Sequence, residues 1–154
     1  MTTEPNDTSA AALHPLLARL DALEADMARL VEVLDRETAA ALAGRSAELE
    51  ACYEKKLALG MALEAQNEAL RAAVADMPGD VLAAILTPER QQQAAAANAT
   101  LRAALARNEA GLRAATEAVR RIFESAARLL AAEDLGYGPA RLPGEGHLFQ
   151  PRSV

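Results

Sequence analysis

From Leu16 onward the apolar residues recur in alternating steps of four and three: Leu16, Leu20, Leu23, Met27, Leu30, Leu34. That spacing is the seam of a heptad helix, which buries one stripe against a partner rod. Two successive steps of four then lead to Thr38 and Leu42, after which the alternation resumes through Leu49, Cys52, Lys56, Leu59 and Leu63 to Met77. An inserted step of four is a stutter, which unwinds a supercoil locally without breaking the helix. The pattern therefore predicts one helix from Pro15, at its first turn, to Met77, on the order of 90 Å long at about 1.5 Å per residue. Gly44 and Gly60 are the places where it would bend. Pro78-Gly79 ends it, because proline disfavours helical geometry in the residue before it and glycine supplies a turn.

A short helix is expected over residues 80–86, and Thr87-Pro88-Glu89 reads as cap, first-turn proline and first-turn acid of a second long helix. Its seam passes through Asn98, Leu101, Leu105, Asn108 and Leu112, then through Val119 and Ile122 to Leu129. Residues 1–12 are polar and without period, which predicts a flexible tail, and the Gly- and Pro-dense residues 135–154 predict another. Residues 13–134 are then the folded part. Two long helices joined by a short connection fold back on each other most simply as a pair. The expected fold is all-α: a long antiparallel, coiled-coil-like helical hairpin with a short connecting helix and flexible termini. A turn near residues 80–86 would bring Gln66 beside Asn98 and Lys56 beside Asn108, matching polar members of otherwise apolar seams.

Composition strengthens the helical reading. Hydrophobic residues make up 51% of the chain but aromatics only 3%, with no Trp, so Ala and Leu supply the apolar content. Those residues head the helix ranking, whereas strands draw on β-branched and aromatic side chains. A net charge of -6 argues against nucleic acid and anionic lipid as partners. Cys52 is the only cysteine, which removes internal disulfides and multi-cysteine metal sites. No apolar run is long enough to insert in a membrane, and the polar N-terminus does not resemble a leader, so a cytoplasmic location is expected.

Candidate chemistry is sparse. His14 and His147 lie near opposite ends without carboxylate or cysteine neighbours at ligand spacing, and no phosphate-binding glycine motif occurs. The expectation is a protein that is not an enzyme and carries no cofactor or metal. Asn98 and Asn108 on the second seam either specify register within the hairpin or contact a partner helix. Glu37 and Lys56, nineteen residues apart on one continuous helix, would be unable to touch. They read as register or structural charges, with the Lys56 stem lying over apolar surface. A two-helix hairpin lacks a third wall, which leaves part of its Leu/Ala stripe open to another polypeptide or a second copy. Tyr137, Leu142, Leu148 and Phe149 in the C-terminal tail suggest a docking segment.

Glu37, Leu42, Leu49, Lys56, Leu59 and Leu63 along the first seam, RNEAGLRAATEAV from Arg107 to Val119 with its Asn108 and Leu112, and the pair Tyr137-Gly138 occur in this order. In that combination, over about residues 13 to 138, the chain resembles the FlgN-type flagellar export chaperones. The resemblance implies a chaperone that binds the C-terminal helical segments of hook-filament junction proteins of FlgK and FlgL type, prevents their premature assembly and delivers them to the type III export gate. It implies that the client lies along Leu101, Leu105, Asn108, Leu112, Val119 and Ile122, and that Tyr137 docks on the FlhA-type gate component. The chain departs from the family in following Tyr137-Gly138 with Pro139-Ala140-Arg141. The other reading is a structural coiled-coil adaptor, a permanent homodimer without a client.

Overall fold

In a computed structural model the backbone is described for residues 7–136 and the side chains for residues 15–131. The chain folds into α1 (Asp7–Leu42), α2 (Ser46–Ala75), α3 (Gly79–Ile85) and α4 (Pro88–Gly136), with no strand among the described residues. The all-α class, the long helices and the short connecting helix are as the sequence pattern predicts. The course of the first helix is not.

Instead of bending, that helix stops at Leu42 and a new one starts at Ser46. Gly44 adopts φ +67°, its N–H donates to Ala41 O at 3.2 Å, and the N–H of Arg45 donates to Ala40 O at 2.9 Å. These two bonds with a left-handed glycine form a Schellman stop, which satisfies the last carbonyls of a helix and reverses the chain. Pro15 also differs from expectation: α1 begins at Asp7, so the proline lies inside the helix. The Ala10-Ala11-Ala12-Leu13 run upstream is strongly helix-forming and carries the helix past it. Residues 7–12, placed in a tail by the sequence pattern, are therefore helical.

The reversal makes α1 and α2 an antiparallel pair, joined by bonds from Lys56 to Glu37 and from Gln66 to Asp26. The first part of α4 returns parallel to α1. Arg90 bonds Asp21, Gln93 bonds Glu24, Arg107 bonds Asp35 and Asn108 bonds Glu37, at nearly constant sequence separations of 69 to 72. Up to Thr116 the chain is thus a bundle of three long helices, and α4 supplies the third wall that a two-helix hairpin lacks. The core is Leu30, Leu34 and Ala104, with Val31, Leu59, Leu63 and Leu101 packed around it. Leu34 and Ala104 are fully buried. Gly111 lets α4 approach closely, since a Cβ there would stand 2.5 Å from Thr38 Cγ2.

Residues 117–136 of α4 belong to a second compact unit. By itself this stretch is a single helix.

Candidate functional site

Within residues 117–131 the large apolar side chains are open to solvent. Val119 is 52% exposed, Ile122 68%, Phe123 71%, Leu129 69% and Leu130 65%. At 3.6 residues per turn these five fall in an arc of about 120°. Small residues such as Ala118, Ser125 and Ala127 border the arc, and the charges Glu117, Arg120, Arg121, Glu124 and Arg128 lie across from it. Arg120 donates to Glu117 at 2.5 Å and to Glu124 at 2.6 Å, and Arg121 donates to Glu117 at 3.3 Å. The Arg120 hydrogen bond, with Arg121 in support, holds the Glu117 carboxyl below the usual carboxylate range, and the same contact raises Arg120. Such exposed pairs one turn apart add little stability, but they keep this face solvated and leave the apolar stripe uncharged.

The residues that the sequence assigns to client contact divide into two groups. Val119 and Ile122 stand on the exposed stripe, and Leu105, farther up α4, is 47% exposed. Leu101 is half-buried against the bundle core, and Leu112 is half-buried as well. Leu129, though on the seam, was not among the residues assigned to client contact, and Phe123 and Leu130 were missed altogether. The signal for the latter two was available: each directly follows a seam residue, and together they widen the seam from a narrow strip to a broad face.

Asn108 is not on that surface. It is 6% exposed, and its amide donates to Leu34 O at 3.1 Å, to Glu37 Oε2 at 2.8 Å and to Thr38 Oγ1 at 3.1 Å. The client role that the resemblance implies for Asn108 is therefore corrected: its donors are spent inside the bundle, where they fix the register of α4 on α1. The separation of Glu37 from Lys56 is corrected too. Because the chain reverses at Gly44, Lys56 Nζ donates to both Glu37 oxygens, at 2.6 and 2.7 Å. Glu37, Lys56 and Asn108 thus tie α1, α2 and α4 at one node. Lys56 also stands 5.8 Å from the Tyr53 ring centre.

Gln66 bonds Asp26 at 2.7 Å rather than meeting Asn98. Asn98 is exposed and lines, with Asn67, Leu63 and Leu101, a groove of about 330 Å³ between the three long helices. Tyr137 and the rest of the expected docking tail lie outside the described residues. Among the described residues no helix is long and apolar enough to cross a membrane. No family model, curated protein or solved structure matches the chain.

Proposed function

We propose that the chain is a non-enzymatic export chaperone of FlgN type, which uses the stripe on residues 117–136 to hold a helical client segment. The observation that carries the reading is the exposure of Val119, Ile122, Phe123, Leu129 and Leu130 on one uncharged face. Contiguous apolar surface of this kind marks a protein interface, and an amphipathic helix laid against such a face is a recurrent recognition mode. Each large side chain moved from water to a client surface contributes on the order of 1–2 kcal/mol. Ordering both partners offsets much of that, which gives reversible binding, as a delivery chaperone requires.

On the family resemblance, the clients are the C-terminal helical segments of FlgK- and FlgL-type junction proteins, the location is the cytoplasm, and Tyr137 docks on an FlhA-type gate component. Titration calorimetry of the full chain with synthetic peptides of those C-terminal segments tests this. Binding should be lost in Ile122→Asp, a change at an exposed position that leaves the fold intact. Equal binding by that variant would remove the stripe from the mechanism. A dimer seen in sedimentation that no client peptide displaces would favour the adaptor reading.

A further inference from the structure

A second apolar stripe lies on α2, in the bundle unit. Tyr53 is 58% exposed, Leu57 55% and Met61 65%. Residues four apart advance about 40° around a helix, so the three form one line. Gly60 sits within this line, with open space where a Cβ would be. A single exposed leucine carries no meaning, but here it lies in file with a tyrosine and a methionine, two residue types enriched in protein interfaces.

The surroundings of the stripe differ from those of the stripe on α4. Glu50 and Glu64 stand seven residues before and after Leu57, nearly on the same line, and Glu54 and Glu68 extend the series. All four carboxylates are exposed, and among the described residues none is in a salt bridge. Of the cations on α2, Lys56 is committed to Glu37. Lys55 on another side of the helix and Arg71 beyond Glu68 are in no salt bridge among the described residues, so four carboxylates outnumber the one cation on this line. The face is thus a short apolar line with unpaired negative charge at both ends. Since the whole chain carries -6, a second copy meets this face with the same sign, and nucleic acid does so too.

We propose that the α2 face of Tyr53, Leu57 and Met61 docks a basic amphipathic helix of another protein, one that presents leucine-like residues at i, i+4 and i+7 with Arg or Lys beside them. The open site at Gly60 admits close approach of the partner backbone, the three large residues supply anchors, and the glutamates select the charge. This surface is separate from the client stripe and does not depend on the chaperone reading.

The probe is a labelled three-heptad synthetic helix with Leu at the seam and Arg on its flanks, titrated into the full chain by fluorescence anisotropy. A matched peptide carries Glu in place of Arg. The Arg peptide should bind at least about tenfold more tightly than the Glu peptide, and less tightly as salt screens the rim. Leu57→Gln should weaken it about tenfold with the circular dichroism spectrum unchanged. Glu50→Lys with Glu64→Lys should reverse the preference between the two peptides, whereas Ile122→Asp should leave it intact. Equal affinity for the two peptides, no effect of Leu57→Gln, or loss of binding in Ile122→Asp would each overturn the proposal. So would a wild-type dimer that Leu57→Gln splits.

Discussion

Replacing Lys56 by Met removes the charge that neutralises Glu37 and leaves the rest of the side chain's volume in place. The Glu37 side chain is 4% exposed and that of Lys56 28% exposed, so the two partners are not equivalent. A carboxylate stranded inside the bundle keeps only the Asn108 amide, at 2.8 Å, as a donor. Breaking a buried pair costs about 3–5 kcal/mol, and the partial exposure of this one lowers the figure to about 2–4 kcal/mol for Lys56→Met. Glu37→Met is milder, about 1 kcal/mol, because a lysine already more than a quarter exposed can swing its ammonium into water. Asn108 would also remain satisfied there, since its two N–H groups keep Leu34 O and Thr38 Oγ1. With both changed, an apolar pair fills the site and the loss should fall to within about 1 kcal/mol of the parent. Urea unfolding followed by far-UV circular dichroism measures all four proteins, and the double-mutant cycle should give a coupling of about 2–5 kcal/mol. If Lys56→Met loses no more than about 0.5 kcal/mol, the value of an exposed ion pair, or if Glu37→Met proves the more damaging, the node is not the buried tie described above.

Two further substitutions test the backbone geometry that creates the node. Gly44→Ala should cost about 1 kcal/mol in the same unfolding assay, because φ +67° strains any L side chain although a Cβ there meets nothing; a gain would deny the Schellman stop. Gly111→Ala should lose about 1 kcal/mol despite the better helix propensity of alanine, since the new methyl meets Thr38 Cγ2 at 2.5 Å and that side chain is held by Leu34 and Asn108. In a Thr38→Ser background, which deletes Cγ2 and keeps the hydroxyl, the same change should become neutral or stabilising; persistence of the loss would place its cause elsewhere.

Helix content, the connecting helix and the apolar seams were legible because they depend on local spacing and propensity. The reversal at Gly44 was not, and the reason is specific. Thr38 and Leu42 before it and Leu49 and Cys52 after it all keep to the seam, so periodicity runs across the turn without a gap. A stutter and a helix stop leave the same interval between apolar residues. What separates them is the backbone of one glycine, followed by a serine and an early acid that suit a new first turn. Once the chain is taken to reverse there, Lys56 no longer lies nineteen residues along a rod from Glu37 but across from it, and the polar seam positions Glu37, Thr38, Lys56 and Asn108 become mutual partners. Asn108 was readable as a register residue from its type. Its partners were readable only from the topology.

The stripe on α4 shows how one heptad line changes its task along a helix. In the line that follows each seam residue at intervals of seven, the residues are Arg102, Glu109, Thr116, Phe123 and Leu130. Arg102 and Glu109 are exposed and polar, as the outer edge of a bundle helix should be, and the line turns apolar after Thr116, where the second unit begins. The opposite edge has Ala104 fully buried and Gly111 against Thr38, small residues that let α1 come close. Its continuation, Ala118 and Ser125, is equally small. A helix that ended its function at the bundle would have no reason to exchange Arg and Glu for Phe and Leu on an exposed edge, since each costs solubility when uncovered. The exchange sets a face of about 120°, broader than the narrow seam of a two-stranded coil. Such a face is wide enough to seat between two helices, so a single helix laid against it would leave Phe123 or Leu129 at the margin of the contact.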